Sequence, residues 1–333
     1  MKINKILLGH GSGGKLTYEL IKNLFSKYIK SPYHNFQDAA ILPILKNKIA
    51  FTTDSFTVKP LFFKGGSIGT LAVNGTVNDI LVSGAIPKYL SLSFILEEGF
   101  DIETLEKILK DISKATKEAK VDIVCGDTKV VEKGKVDKVF INTSGIGEVV
   151  KELGPHLVEE GDDIILSGFA GDHGAIIFLE RENFPIEVDF ESDCSPLTDL
   201  ILPLFDVKGV KWMRDPTRGG VATTLIELAL DIENKGLGIE LYEDNIPVRE
   251  GVKLICDMLG FDPLYLANEG KVLIVCSPKD TQKVLETLHK NEKGKDAKVI
   301  GKIVKGKGVS LITSIGGKRI LDMLEDDPLP RIC

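Results

Sequence analysis

The chain ends in a cysteine, and two prolines stiffen the tail that carries it. Pro328 and Pro330 lack backbone N–H donors and hold φ at about −65°, so the segment leading to Cys333 should stay extended. A thiol on such an arm could carry a covalently bound group, and Arg331 would favour its thiolate while the terminal carboxylate opposes it. Two interpretations remain open: a carrier thiol, or a frayed terminus whose cysteine is incidental.

Four aspartates in the first half of the chain lie at the end of an apolar segment or inside one: Asp38, Asp54, Asp79 and Asp127. A carboxylate in such a place is costly unless it is paired, caps a helix or binds a metal. One alone is usually a cap, but four suggest a shared cation site. Because carboxylates repel a polyphosphate, Mg²⁺ would have to bridge the two. The pattern therefore indicates nucleotide chemistry.

A glycine-rich segment, Gly9 to Lys15, nearly completes the G-x-x-x-x-G-K pattern of a P-loop. Position 16 is Leu16, where a Ser or Thr hydroxyl should hold Mg²⁺, so we reject that interpretation. A glycine loop that opens a helix remains, and it could bring backbone N–H groups or Lys15 close to an anion. A mobile N-terminal turn is the equally good alternative.

Three further segments carry candidate groups. Lys129 follows a strand-like run and could neutralise a transferred phosphoryl group, or be an ordinary surface lysine. Glu269, in the segment 268–271, is either a base or a turn carboxylate. The segment 214–220 (RDPTRGG) precedes a helical pattern and predicts either an anion site or a helix start capped by Asp215 and Thr217.

The elements that must position these groups alternate between strand-like and helix-like patterns. Strands are predicted at 6–8, 49–53, 89–96, 121–125, 139–146, 163–167, 238–242, 271–276, 299–304 and 309–313. Between them, helical spacing recurs near 16–28, 102–112, 173–181, 220–233, 249–259 and 278–290. This indicates two α/β or α+β halves, with domains at 1–150 and 151–325 and a tail at 326–333.

Composition narrows the class of protein. A chain of 333 residues with 43% hydrophobic residues and a net charge of −7 is typical of a globular protein without a nucleic-acid surface. The longest weakly polar stretch, 71–87, is too short and too polar to span a membrane, and no leader pattern opens the chain. Five unpatterned cysteines, of which Cys125, Cys256 and Cys276 sit in apolar runs expected in the core, indicate a reduced, cytoplasmic protein.

Taken together, these segments resemble the HypE family of hydrogenase maturation proteins. The matching motifs are HGSGG at 10–14, TDS at 53–55, ND at 78–79, SGAIP at 83–87, GDTKVV at 126–131, GDHGA at 171–175, DPTRGG at 215–220, NEGK at 268–271 and PLPRIC at 328–333. The resemblance spans essentially the whole chain, and the terminal cysteine is its most specific piece. Relatives in the wider aminoimidazole ribonucleotide synthetase superfamily, such as selenophosphate synthetase and thiamine monophosphate kinase, lack that arm.

The resemblance implies a fold and a reaction. The fold is the two-domain aminoimidazole ribonucleotide synthetase-like α/β (α+β) fold with a flexible C-terminal tail, in a homodimer formed through the first domain. Proteins of the family receive a carbamoyl group on the terminal cysteine from the carbamoyltransferase HypF. They use ATP and Mg²⁺ to dehydrate this thiocarboxamide to a thiocyanate, and the cyano group passes to iron held by HypC and HypD. Gln37 departs from the paired acidic residues of many superfamily members, which affects the number of metal ions.

Roles carried over residue by residue follow from the same resemblance. Cys333 is the covalent carrier, Lys129 stabilises the phosphoryl oxygens, and Glu269 is the base. Mg²⁺–ATP is assigned to Asp38, Asp54, Asp79 and Asp127, with Asn78 and Lys15 as further nucleotide contacts. Two rival functions remain: a kinase of the same fold that phosphorylates a free small molecule, and a non-catalytic carrier that presents Cys333 to partners.

Overall fold

The computed structural model describes residues 5–11, 15–30, 42–43, 46, 48–182, 184–324, 329 and 331–333. The helices are α1 (Lys15–Leu20), α2 (Ser26–Tyr28), α3 (Ile68–Val82), α4 (Ile102–Ala119), α5 (Asp172–Arg181), α6 (Thr198–Ile201), α7 (Gly220–Ile232), α8 (Glu250–Leu259) and α9 (Thr281–His289), and a π-helical turn, Ile21–Phe25, joins α1 to α2. The strands are β1 (Ile49–Phe56), β2 (Phe62–Phe63), β3 (Gly66–Ser67), β4 (Ala85–Glu97), β5 (Asp122–Val131), β6 (Val139–Val149), β7 (Asp163–Leu166), β8 (Val210–Arg214), β9 (Leu237–Tyr242), β10 (Leu273–Cys276), β11 (Lys298–Lys305), β12 (Val309–Ile312) and β13 (Lys318–Leu321).

The first half is a four-stranded sheet in the order β1-β6-β4-β5, with α3 and α4 on one face. Helix α4 is amphipathic and begins at an Asp101 cap, whose carboxylate accepts the Thr104 N–H. Helix α3 is apolar nearly all round and begins at a capping box formed by Ser67 and Thr70. It is buried on both sides because it lies between this sheet and the second half of the chain.

The second half is a seven-stranded sheet in the order β13-β12-β9-β11-β7-β10-β8. One apolar cluster, which includes Ile239 and Leu225, lies within this half. The larger cluster joins residues of both halves, such as Leu71 and Ile176, and includes Leu329 and Ile332 of the tail. The two halves and the chain end therefore share one continuous core.

The mixed helix-and-sheet architecture confirms the predicted fold class. The strand predicted at 6–8 is wrong: the main-chain pairing there is a single bridge from Lys5 to Asp101, followed by a 3₁₀ turn, Leu8–Gly11. The apolar run at 6–8 is too short for a strand, and Leu7 and Leu8 are 40% and 41% exposed. Helices α3 and α6 and strands β2, β3, β8 and β13 are not among the elements predicted from the sequence. The proposed domain boundaries stay a prediction, with the strands of the two large sheets confined to 49–149 and 163–321.

Candidate active site

The end of the chain lies in the cleft between the two halves. The Thr57 N–H donates to an oxygen of the Cys333 terminal carboxylate at 3.1 Å, and the Lys59 N–H donates to the Arg331 carbonyl oxygen at 3.3 Å. Arg181 of α5 donates to that same Arg331 oxygen at 2.6 Å. Ile332 is only 2% exposed, and Cys333 packs against the shared core. The terminal thiol is thus held between elements of both halves.

A buried histidine anchors this tail through a chain of hydrogen bonds. His173 Nε2 lies 2.8 Å from the Ile332 carbonyl oxygen, and Nδ1 lies 2.8 Å from Ser192 Oγ, which accepts the Cys194 N–H at 3.1 Å. Burial lowers the pKa of His173, so its ring is neutral. A neutral ring then donates from Nε2 to the carbonyl and accepts the Ser192 hydroxyl at Nδ1.

Four acidic side chains from different elements lie close to one another between the two halves. Asp54 lies on β1, Asp79 on α3 and Asp215 directly after β8. Glu269 lies in the segment 268–271, between the 3₁₀ turn Pro263–Tyr265 and β10. Burial raises the pKa of Asp79 to about 6 and that of Asp215 to about 8, and the charges of neighbouring carboxylates add to both shifts. Burial also raises the pKa of Asp54. These carboxylates favour a cation among them.

Local hydrogen bonds set the position of each carboxylate. Thr76 Oγ1 donates to Asp54 at 3.3 Å, and Thr52 Oγ1 donates to Asp79 at 2.8 Å, so β1 and α3 exchange one contact each. Asp79 and Asp215 both line a cleft of about 400 Å³ between α3 and β8. Arg214 lowers the pKa of Asp79 and of Asp215 through its charge, which partly offsets the repulsion among the acids.

Glu269 is 2% exposed, and burial raises its pKa well above the ordinary value, followed by the charges of Asp215 and Asp193. Asp193 also fixes the backbone there: it accepts the Glu269 N–H at 3.0 Å and the Gly270 N–H at 3.3 Å. Lys271 neutralises Asp193 at 3.2 Å. A group with a raised pKa in a cleft is suited to acid–base chemistry.

Asn78, predicted as a nucleotide contact, has its amide occupied by the main chain of the second half. Its Nδ2 donates to the Ser195 carbonyl at 3.1 Å, and its Oδ1 accepts the Leu197 N–H at 2.9 Å. A longer contact of 3.5 Å reaches the Glu269 carbonyl. Asn78 therefore ties α3 to the segments that carry Ser195 and Glu269, and its role toward a nucleotide stays a prediction.

Asp127 and Lys129 lie on β5, away from the acidic cleft. Their side chains are 60% and 64% exposed and pair with each other at 3.5 Å. Strands β5 and β1 are the opposite edges of the first sheet, so two strands separate Asp127 from Asp54. The structure thus does not bring Asp127 into one cluster with Asp54 and Asp79. Their assigned roles remain predictions.

The acidic side chains of the cleft supply only part of the ligands of a metal ion. Within the described ranges, no group of three or more His, Cys, Asp or Glu side chains stands ready to hold a metal. Asp54 and Asp79 are close enough that the charge of Asp54 raises the pKa of Asp79, and Mg²⁺ usually takes one or two carboxylates together with phosphate oxygens. Asp54 and Asp79 therefore fit a nucleotide-bound Mg²⁺. Asp38 and the side chain of Lys15 fall outside the described residues.

Two acids of the candidate site, Asp215 and Asp193, are not assigned to it by the sequence. Asp215 was considered only as a helix cap, yet α7 begins after Gly219, whose φ is 75°, with no side-chain cap. The Arg-Asp-Pro order, which follows a strand, was the available signal. No sequence pattern marks Asp193, because its hydrogen bond with the Glu269 N–H joins segments 76 residues apart. Cys125, expected in the core, is exposed on β5.

Comparisons with known proteins agree with this geometry. Residues 36–149 match the AIR synthase related protein N-terminal domain, and residues 159–314 match its C-terminal domain. The carbamoyl dehydratase HypE of Escherichia coli strain K12 is 45% identical over 339 aligned positions, which cover 99% of this chain and 100% of that protein.

Among the described residues, none of the helices combines the length and the apolar character that a membrane span requires.

Solved structures extend the comparison. A crystal structure of the hydrogenase maturation protein HypE in complex with ATP is similar at a TM-score of 0.93 and 43% identity, covering 98% of this chain and 99% of that one. The HypE chain of a HypE–HypF complex is similar at a TM-score of 0.80 and 46% identity, covering 92% and 99%. With two matching domains and full-length relatives, the chain belongs to the HypE family of hydrogenase maturation proteins, within the AIR synthase related proteins.

Proposed function

We propose that the chain is an ATP-dependent carbamoyl dehydratase that converts a thiocarboxamide on Cys333 to a thiocyanate. The observation that carries this proposal is the docked chain end: Thr57 of the first half and His173 of the second half hold Cys333 and Ile332 by hydrogen bonds, and His173 connects through Ser192 to Cys194. Two of the relatives described above, a carbamoyl dehydratase and a HypE solved in complex with ATP, support the same activity.

The chemistry requires that the carbamoyl oxygen leave carbon. Its direct loss is slow, so the oxygen takes the γ-phosphoryl group of ATP and departs as phosphate. A base removes the nitrogen protons, and the C–N bond becomes the triple bond of S–C≡N. The net change is thiocarboxamide plus ATP to thiocyanate plus ADP and phosphate. Because the substrate is tethered, affinity for a free small molecule is not needed.

The roles of the residues follow from this scheme. Glu269 takes the nitrogen protons, since it is buried and its raised pKa makes it a stronger base. Asp54 and Asp79 would hold Mg²⁺, which would neutralise phosphate charge when bound. The resemblance assigns the phosphoryl oxygens to Lys129, although within this chain Lys129 lies on β5, away from Asp54 and Asp79. Asp38, Asp127, Asn78 and Lys15 complete the nucleotide contacts in this proposal.

The intact mass of the chain tests the function directly. Protein carbamoylated on Cys333 by its transferase is incubated with Mg-ATP, and the loss of one water, about 18 Da, with phosphate release is expected. The Cys333→Ala variant should neither load nor react, while it still binds ATP. A loaded mass that stays unchanged while ATP remains intact would favour the non-catalytic carrier instead.

A small-molecule kinase of the same fold is the other rival. Such an enzyme needs no terminal thiol, so a chain lacking residues 329–333 would keep its full ATP turnover with a free acceptor. The carbamoyl dehydratase loses all productive turnover on that deletion. The contacts of Arg331, Ile332 and Cys333 with both halves favour the dehydratase.

Partners and location belong to the same proposal. We expect HypF to load the carbamoyl group, and a solved HypE–HypF complex of a relative supports this partner. We expect a HypC–HypD complex that holds iron to receive the cyano group, and a homodimer formed through the first sheet. The expected location is the cytoplasm.

A further inference from the structure

Two buried oxygens in the cleft have unused hydrogen-bonding capacity. Among the described residues, the buried side-chain oxygens that accept no hydrogen bond are Asn74 Oδ1, Asp163 Oδ1 and Glu269 Oε1. Asp163 has a charge partner, the Lys302 ammonium at 3.7 Å. Asn74 and Glu269, each 2% exposed, are the two left. A buried acceptor without a donor destabilises the fold, so such a pair calls for an explanation.

The two residues belong to one small region. Asn74 Nδ2 lies 3.7 Å from Cys194 Sγ, and the charge of Glu269 is among the causes that raise the pKa of the Cys194 thiol. Asn78, one helical turn after Asn74 on α3, contacts the Glu269 carbonyl. Asn74 and Glu269 therefore approach Cys194 from opposite halves of the chain.

A chain of hydrogen bonds connects this region to the residue before the terminal cysteine. The Cys194 N–H leads through Ser192 and His173 to the carbonyl of Ile332, the residue before Cys333. In the first half of the chain, the N–H of Thr57, which directly follows Phe56, donates a hydrogen bond to Cys333. A methyl group added to Gly75, the neighbour of Asn74, would lie 2.9 Å from the Phe56 ring. Helix α3 therefore packs closely against Phe56.

We infer that Asn74 is a substrate-binding residue: its Oδ1 and Glu269 Oε1 accept the two N–H groups of a thiocarboxamide carried by Cys333. This inference rests on the proposed function. A primary amide nitrogen carries two N–H donors. No other group of the thiocarboxamide could donate to two acceptors at once. The pairing also orients the nitrogen protons toward the base, and a thiocyanate, which has no donor, loses both bonds.

Asn74→Leu tests the inference, with Asn78→Leu as the matched control one turn along α3. Leu has nearly the shape of Asn and leaves no unpaired oxygen, so Asn74→Leu should unfold at the wild-type temperature or above it. Asn78→Leu breaks bonds to Ser195 and Leu197 and should unfold earlier. The dehydration rate of loaded Asn74→Leu should fall about 10- to 100-fold. Asn74→Ala serves if the Leu variant fails to fold.

A second measurement does not depend on turnover. Potassium cyanate converts a thiol to the S-carbamoyl form, because cyanic acid adds across the S–H bond. In a Cys125→Ser background, cyanate treatment should raise the unfolding midpoint of the wild-type site by about 2–4 °C. The rise should vanish in Asn74→Leu, and Cys333→Ser corrects for modification elsewhere.

The two readouts separate the possible failures. If wild-type protein never loses water yet shows the Asn74-dependent shift, the proposed function is wrong and the amide site stands. If Asn74→Leu dehydrates at the wild-type rate and shows the full thermal shift, the inference is overturned. A low rate with an unchanged thermal shift also overturns it, because Asn74 would then act through the fold.

Discussion

At the scale of single residues, the cleft places its acids where charge is hard to sustain. Asp54, Asp79, Asp215 and Glu269 are each raised in pKa by burial, and each is raised further or held back by named neighbours. Such an arrangement is unfavourable for folding and favourable for binding a cation and holding a base. The site is therefore expected to respond strongly to removal of a single carboxylate.

Glu269→Gln should separate loading from dehydration. Gln cannot take a proton, so we expect carbamoyl loading at the wild-type level and dehydration at least about 100-fold slower. The neutral side chain also removes repulsion from Asp215 and Asp193, so the unfolding midpoint should not fall. Single-turnover mass spectrometry with ATP measures both steps. Turnover at the wild-type rate would reject Glu269 as the base, and Glu292→Gln, on the surface, is the control.

The five free cysteines should differ in reactivity by position. Burial raises the pKa of Cys194 and Cys256 to about 12 and that of Cys276 to about 11, and the thiolate is the nucleophile. Alkylation of native protein at pH 8 should therefore leave these three unmodified and be restricted to Cys125 and Cys333. Peptide mass spectrometry before and after unfolding locates the label. Native labelling of Cys194 would contradict its burial.

At the scale of elements, helix α5 begins on a buried acid. Arg249 Nε lies 3.1 and 3.0 Å from the two Asp172 oxygens, and its guanidinium stacks on Phe169 at 4.1 Å. Even so, burial and then the charge of Asp193 raise the pKa of Asp172 to about 6 from 3.8. The desolvation of the carboxylate thus outweighs its ion pair.

Asp172→Asn should make this visible in the pH dependence of unfolding. With a raised pKa, the contribution of Asp172 to stability is fully present below its unfolded pKa and is lost as pH rises through about 6. The free energy of unfolding of wild type, minus that of the variant, should fall by about 2–3 kcal/mol between pH 4 and 8. Denaturant titrations at several pH values measure it. Arg249→Met should move the fall to higher pH, and a flat difference would contradict the argument.

The docked tail predicts protection from proteolysis. Arg331 donates to the Thr57 carbonyl at 3.0 Å and to Asp137 at 2.9 Å, which covers the trypsin site after Arg331. The pair is partly exposed, at 37% and 41%, and such pairs contribute about 0.2–1 kcal/mol. Asp137→Ala should speed loss of the terminal dipeptide about twofold to fivefold by intact mass. Glu132→Ala, in the same β5–β6 connection, should cleave at the wild-type rate.

Sequence periodicity predicted most elements because their burial is regular. Strands β1 and β6 alternate between faces, and α4 repeats Leu105, Ile108, Leu109 and Ile112 on one side. It failed where isolated contacts decide the structure, as in the single bridge at Lys5. The site was predictable where motifs carry it, as at Glu269. It was not predictable where distant segments meet, as when Asp193 binds the N–H groups beside Glu269.

At the scale of the whole molecule, the shared core explains how one cleft can be built from two halves. Leu71 of α3, Ile176 of α5 and Ile332 of the tail belong to the same apolar cluster. Buried apolar surface favours keeping these elements together by about 25 cal/mol per Å². Any movement of the tail out of the cleft must therefore expose Ile332, which is 2% accessible when docked.

The outer face of the first sheet should be a subunit interface. Ile49, Phe51 and Ile95 on it are 59%, 67% and 43% exposed, and a sheet face with such side chains is normally covered. Phe51→Asp should convert the expected homodimer to a monomer, because a two-fold interface buries the new charge twice. Light scattering after size-exclusion chromatography measures the mass. Ile315→Asp, at a 93% exposed position in the β12–β13 turn, should stay dimeric, and a monomeric wild type at micromolar concentration would refute the interface.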